Sequence, residues 1–278
     1  MSKLLAQQAY KALQSKKIYP KPSTHGLVNG FIIWQGPSVL DGAPVVAIAT
    51  GLTLARRHSK RGVNAKTGAM AQVYIIRSDV SPVEARRQGL DGAICGDCKH
   101  KSGSCYVRLE QGPLIVYKSF LAGKYPVLSA SDAALQLKGL NVRLGSYGDI
   151  AAIPAHILHS LMRFTANNTG YTHQWKRKDM EHLKVFTMAS CDTLEEHLEA
   201  TRKGWRTFLV VPKGSTSIPA KTFLCPASEE AGKKLTCDQC LACNGSRDNR
   251  SASVYIPVHG VSFKQKRFTE QLIQIGRA

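Results

Sequence analysis

Seven of the eight cysteines fall in two groups: Cys95, Cys98 and Cys105 in ICGDCKHKSGSCYV, and Cys225, Cys237, Cys240 and Cys243 in LCPASEEAGKKLTCDQCLACNG. Thiolates spaced by C-x2-C steps can close around a single point, which is what tetrahedral zinc and iron–sulfur clusters require. In the second group two such steps run together and a distant Cys-Pro pair joins them, giving four thiolates at C-x11-C-x2-C-x2-C. By count this set suits zinc or [4Fe–4S]. Consecutive C-x2-C steps crowd one zinc ion more than the separate corners of an iron–sulfur cube, so an iron–sulfur cluster is the favoured reading and zinc the alternative.

The first group shows only three thiols, and a three-thiolate cluster leaves one iron open to a substrate or cofactor. Asp97 and His100 lie within its loop and are candidates for a fourth ligand, as is Cys191 at the end of the strand-like KVFTMASC. With Cys191 the cysteines make two four-thiolate sites; without it Cys191 is a small buried core residue. Disulfides compete with both metal readings. The chain begins MSKLLAQQAYKAL, with no apolar run resembling a signal peptide or membrane span, so a reducing cytoplasm is expected, and there clustered cysteines are metal ligands more often than disulfides.

Polar residues gather where strand-like runs end: Ser146, Tyr147 and Asp149 in GSYGD, Tyr171, Thr172 and His173 in GYTH, Ser190 and Asp192 around Cys191, and His259 in PVHG. In a parallel α/β body these ends share one face. Asp149 and His173 are the candidates for proton transfer, and Tyr147 for contact with a cofactor. Each alone has a ready structural role, and their coincidence at strand ends singles them out. The HILH step at 156–159 lies on a helix-like run and carries little weight. Walker and dinucleotide glycine motifs are absent, so neither ATP nor NAD is expected.

Lys and Arg outnumber Asp and Glu by 38 to 19, a net charge of +19 that makes a polyanion the natural partner. Three basic runs stand out: ARRHSKRGVNAKTG at 55–68, HQWKRKDM at 173–180 and FKQKRF at 263–268. The first supplies Arg56, Arg57, Lys60, Arg61 and Lys66 as phosphate contacts. The second supplies Lys176, Arg177 and Lys178, with Trp175 as a stacking platform for a base. DNA or RNA is therefore the expected partner. The runs do not lie on one amphipathic helix, so no membrane partner is expected.

These residues need elements to position them. The spacing of Leu4, Leu5, Ala9, Ala12 and Leu13 predicts a helix over Ser2–Lys17, ended by Pro20 and Pro22. GFIIWQG and APVVAIATGL predict paired strands at 30–36 and 43–52. From Gln72 strands and helices alternate: VYIIRS, SPVEARRQG with Ser81 as cap, QGPLIVYKSFLAG, LNVRLGSYGD and IPAHILHSLMRFTA. GYTHQW, KVFTMASC, TLEEHLEATRKG with a Thr-x-x-Glu capping box, and RTFLVVP continue the pattern. KTFLCP and SVYIPVHG flank the second cysteine group, and FKQKRFTEQLIQIGRA predicts a basic C-terminal helix. The expected fold is α/β: a parallel, partial TIM-like barrel with an inserted cysteine knot and an N-terminal helix and hairpin. The expected divisions are an N-terminal segment at 1–63, the body at 64–262 with its insertion at 225–245, and the helix at 263–278.

The order of NAKTG, C-x2-C-x6-CY, GKYP, RLGSYGD, GYTHQWK, ASCD and a late C…C-x2-C-x2-C knot resembles a family of phage- and plasmid-encoded cysteine-motif proteins of unassigned function. That family in turn distantly resembles the radical-SAM barrel. The resemblance spans about residues 64 to 260. It implies a barrel cluster on Cys95, Cys98 and Cys105 with Tyr106 beside the last ligand and the cofactor, and an auxiliary cluster on Cys225, Cys237, Cys240 and Cys243. It also implies S-adenosylmethionine as a cofactor, although radical-SAM enzymes carry C-x3-C-x2-C where this chain has C-x2-C-x6-C. Three functions follow as expectations: a mobile-element iron–sulfur protein that binds nucleic acid, a divergent radical-SAM-like redox enzyme, and a zinc-stapled protein acting on a host factor.

Overall fold

Alternating apolar residues in GFIIWQGP and the almost continuous apolar run PVVAIAT form β1 (Gly30–Pro37) and β2 (Pro44–Thr50), an antiparallel hairpin. A computed structural model of the protein describes residues 26–57, 64–232, 235–246, 252–259 and 261–275. The helix expected over Ser2–Lys17 lies outside these residues, as do Lys60 and Arg61.

Two compact units make up the described chain. The first comprises 26–57, Ala69–Gly96 and Arg108–Asn168; the second comprises Asn64–Gly68, Asp97–Val107 and the residues from Thr169 onward. The chain thus passes between the units at 63/64, 68/69, 96/97, 107/108 and 168/169, the third of these inside the first cysteine loop, between Cys95 and Cys98.

In the first unit β2 also pairs antiparallel with β3 (Ala71–Arg77), which pairs parallel with β4 (Asn141–Tyr147). Helices α1 (Leu52–Arg57), α2 (Pro82–Arg87), α3 (Gly92–Cys95), α4 (Gly112–Leu121), α5 (Ala130–Gln136) and α6 (Ala155–Met162) accompany these strands. The Ser81 cap expected from the sequence is present, and Ser129 forms a second. The Ser81 hydroxyl accepts from the Glu84 N–H at 3.2 Å, and Ser129 accepts from Asp132 N–H at 3.1 Å, so each helix start has one orphan donor satisfied.

The named strands of the second unit pair in parallel: β5 (Asn167–Thr172) enters it, and β6 (Met188–Cys191), β7 (Thr207–Val211), β9 (Ser253–Pro257) and β8 (Thr222–Leu224) follow in that lateral order. The body is therefore mixed α/β with mostly parallel strands, and antiparallel pairing is confined to β1, β2 and β3. Helix α7 (Leu194–Arg202) starts at Thr193, whose hydroxyl accepts from Glu196 N–H at 3.2 Å. The one-turn α8 (Cys237–Cys240) carries two cysteines, and α9 (Ser262–Ile275) is the basic helix expected from FKQKRFTEQLIQIGRA.

Two elements depart from their patterns, and the first is GYTHQW, which stays a strand only to Thr172 and turns to 3-10 helix over Gln174–Lys176. KVFTMASC forms a strand only over Met188–Cys191; Lys178–Val185 is 3-10 helix. Met180 and Leu183 are buried there three residues apart, the spacing at which 3-10 side chains eclipse, and this outweighs the β-branched and aromatic content of Val185, Phe186 and Thr187.

Candidate metal centres

The second cysteine group lies beside the ends of β8 and α8. Cys225 follows β8, Cys237 and Cys240 open and close α8, and Cys243 lies three residues beyond. Cys225, Cys237 and Cys243 are buried and Cys240 is half-buried. Burial pushes the Cys243 thiol up to about 12 despite a hydrogen bond from Tyr171, with the charges of Cys225, Cys237 and Cys240 adding to the rise. Burial likewise raises Cys225; the Ala227 backbone N–H and Lys66 oppose it, and Cys240 adds to it. Burial and the neighbouring cysteines both oppose ionisation of Cys243, and a cation bound there would offset that opposition.

A four-residue helix is too short to stand alone, so its surroundings hold it. The N–H groups of Cys237 and Asp238 donate to the carbonyls of Lys66 and Thr67 at 2.9 and 3.1 Å. Those carbonyls are presented by a turn in which Asn64 Oδ1 accepts from Lys66 and Thr67 N–H at 2.9 and 3.0 Å. The Thr236 N–H donates to Gln239 Oε1 at 3.1 Å, closing the start of α8. After Cys243 the loop is gripped by Arg206, which is buried and donates to the carbonyls of Ala242, Gly245 and Ala252 and to Asn244 Oδ1 at 2.7–3.0 Å. Gly245 has φ +80°, and a Cβ there would stand 2.6 Å from the Val185 carbonyl oxygen, so only glycine fits.

The first cysteine loop meets a different set of groups. Cys98 hydrogen-bonds His173, and His173 Nε2 lies 3.7 Å from Asp192 Oδ2. His100 Nε2 lies 2.8 Å from Asp192 Oδ1, and the two imidazoles meet edge to face at 5.6 Å. Burial alone would push the Cys98 thiol up, but the charge and hydrogen bond of His173 and the charge of His100 win and hold it below the usual thiol range. Burial opposes ionisation of Asp192 too, and the same imidazoles outweigh it, holding the carboxyl well below the usual range. Both imidazoles are lowered by burial and raised further by Asp192 and Cys98, ending above the ordinary histidine value. Cys95 belongs to the first unit, at the end of α3. Cys105 is tied down by its backbone, its carbonyl accepting from Lys264 Nζ at 2.6 Å.

Several expected residues serve other purposes. Cys191 is fully buried, its thiol pointing at the Ala189 carbonyl at 3.6 Å, and burial with Glu196 and Asp192 pushes it far above the usual range. Asp149 caps the 3-10 turn Ile150–Ala152 in the first unit, accepting from Ala151 N–H at 3.0 Å. Tyr147 is 2% exposed at the end of β4, whereas Tyr106 is 53% exposed, with its ring 5.6 Å from that of His259.

The basic runs are largely engaged internally. Arg56 donates to the Val28 carbonyl and to Gln136, and Lys66 lies 3.4 Å from His259 Nε2. Lys176 pairs with Glu196 at 2.9 Å, and Arg177 with Asp179 at 2.8 Å. Trp175 is 3% exposed, its N–H donates to the Ser190 carbonyl, and Lys176 and Lys203 lie over its ring, so it offers no face to a base. Arg57 and Lys178 are exposed.

Sequence reading missed Glu196, and it placed α9 without its contact to His100. Glu196 accepts from Lys99 and Lys176 and from the Asp192 N–H, gathering the site's surroundings; its only sequence signal is the N3 position of the capping box. From α9, Phe268 stacks on His100 at 5.5 Å, and Phe263 is 59% exposed with the Arg267 guanidinium 4.6 Å above its ring. A cavity of about 730 Å³, lined by Lys99, Lys176, Asp192, Glu196 and Val211 among others, opens at the carboxyl ends of β6 and β7. Among the described residues, no helix is long and apolar enough to cross a membrane. Comparison with protein-family models, curated proteins and solved structures finds no match to this chain.

Proposed function

We propose that this chain is an iron–sulfur protein of the kind that phages and plasmids encode, with a cluster on Cys225, Cys237, Cys240 and Cys243, and that it binds nucleic acid. The observation that carries the reading is the framework built around this cysteine group: α8, pinned by the Lys66 and Thr67 carbonyls, and the loop after Cys243, gripped by Arg206. An N–H donated to Cys225, a hydrogen bond from Tyr171 to Cys243 and the cation Lys66 all favour sulfur in its anionic form, as a cluster needs. Such a cluster would be structural or pass electrons, because all four positions are taken by the chain.

The nucleic-acid part rests on the charge of +19 and on α9. Phe263, Lys266 and Arg267 are exposed there, an aromatic face beside two cations, which is the composition that stacks a base and tracks a phosphate. In this reading Phe263 takes the stacking role expected of Trp175. Binding of single-stranded DNA or RNA should weaken steeply with salt, and removing Lys266 and Arg267 together should flatten the log–log slope by roughly 1 to 2 units. Phe263→Ala should lower affinity with little change of slope, by about 1–3 kcal/mol. No binding of either nucleic acid at about 0.1 M salt would refute this part of the reading.

A second reading, a divergent radical-SAM-like enzyme with a partial barrel, is favoured by the cavity at the carboxyl ends of β6 and β7, where parallel α/β sheets bind ligands. It assigns Cys95, Cys98 and Cys105 to a second cluster with S-adenosylmethionine on its open iron.

A further inference from the structure

We infer that His100, His173 and Asp192 form a mononuclear site for a divalent transition-metal ion, with the Cys98 sulfur as its fourth donor. The site is independent of the four-cysteine centre. One ligand atom from each of His100, His173 and Asp192 lies within 4.8 Å of the other two, although the residues come from three separate stretches of the second unit. The Cys98 sulfur lies outside that 4.8 Å group but adjoins it through a hydrogen bond with His173, so it would close on the ion from that side. Two imidazoles and one carboxylate are the ligand set of non-haem ferrous sites and of open zinc sites; adding one thiolate favours zinc, cobalt or ferrous iron over magnesium or calcium.

The hydrogen bonds behind His100 fix its tautomer. Ser104 Oγ donates its only proton to Gln271 Oε1 at 2.7 Å, and the Gln271 amide nitrogen is oriented by the Lys99 carbonyl at 3.4 Å. The 2.8 Å contact between Ser104 Oγ and His100 Nδ1 must therefore be donated by Nδ1–H. The neutral ring then carries its lone pair on Nε2, which faces Asp192 Oδ1 at 2.8 Å. Two acceptors at that distance need a proton or a metal ion between them. Metal–nitrogen and metal–oxygen bonds of about 2.0–2.2 Å set the two ligands roughly 3.0–3.4 Å apart, so a few tenths of an ångström of opening admits the ion.

The surroundings are those of a metal site. An imidazole ligand whose other nitrogen donates to a fixed acceptor is the usual outer-shell arrangement, and here Ser104 and Gln271 supply it. Phe268 stacks on the outer face of His100 and limits water there. Asp192 also lines the 730 Å³ cavity, which gives the ion an entry path and a ligand a way to reach it.

The test is titration of the full-length protein with Co²⁺ under reducing, anaerobic conditions, followed by visible absorption. A site of mixed nitrogen, oxygen and single-sulfur ligation should appear with bands distinct from those of a four-thiolate site. Asp192→Asn should lose that site alone. Cys98→Ser should retain cobalt but lose the sulfur-to-metal charge-transfer band. Ser104→Ala touches no ligand atom and should weaken this cobalt site by roughly 10–100-fold, which keeps the test open if Asp192→Asn fails to fold. Cys240→Ala should leave it intact, so failure of the four-cysteine centre and failure of this one are told apart. The inference is overturned if wild type shows no cobalt spectrum of mixed ligation, or if Ser104→Ala and Asp192→Asn bind cobalt as the wild type does, with a proton alone joining His100 to Asp192.

Discussion

Cys98 and Cys191 are both cysteines of the second unit, and their neighbours give them opposite chemistry. Two imidazoles draw Cys98 toward the thiolate, while Glu196 and Asp192 add to burial in keeping Cys191 protonated. Spacing in the chain could nominate both but could not separate them, because His173 reaches Cys98 from a distant stretch of the chain and the folds of both loops decide which nearby charges face each sulfur. His197 makes the same point for the core. It is 5% exposed, its Nδ1 lies 2.7 Å from Thr207 Oγ1, and burial holds its pKa below the ordinary value. A depressed imidazole contributes stability above its unfolded pKa of about 6.5, which is lost as pH falls toward the folded value, at up to about 1.4 kcal/mol per pH unit. Urea unfolding at pH 7.5 and pH 5.5 should therefore show a smaller acid loss for His197→Gln than for wild type; equal losses would mean that His197 is not held neutral. Trp175 failed as a nucleic-acid residue for a related reason: an aromatic among lysines reads the same whether the lysines solvate a surface or cover the ring of a buried indole.

At the scale of elements, most of the α/β pattern was legible. The β1–β2 hairpin, the capped helices at Ser81, Ser129 and Thr193, and the strands around RLGSY and TFLVV stand where periodicity and capping residues put them. What was not legible depends on tertiary partners. The four-cysteine loop is an example, since NAKTG reads as a basic loop and instead presents the Lys66 and Thr67 carbonyls to the start of α8. Arg206 reads as one more surface charge and is instead the donor that holds the loop after Cys243. Arg206→Ala would leave several buried acceptors without a donor, each costing about 1–3 kcal/mol, so a loss of about 3 kcal/mol or more is expected in urea unfolding. Metal retention should fall with it. A variant as stable as wild type would show that the loop holds itself without Arg206.

Over the whole molecule, two things were readable from the chain: the charge of +19 and the concentration of thiols. The division into two units was not, because it falls within the first cysteine loop and returns residues 64–68 to the second unit, against the order of the chain. The two units also differ in character, the first built on three antiparallel strands extended by one parallel strand, the second on parallel strands and carrying the four-cysteine loop, the His100–His173–Asp192 cluster and α9. The central claim is that the four-cysteine centre holds an iron–sulfur cluster. It is tested most directly by iron, sulfide and zinc content, with the visible spectrum, of protein purified without oxygen. About four irons and four sulfides per chain with broad absorbance near roughly 400 nm, lost in Cys240→Ala, is the expected result. About eight irons would add the second cluster of the radical-SAM-like reading, whereas colourless protein with stoichiometric zinc and no iron would contradict the claim and leave the zinc-stapled interaction protein in its place.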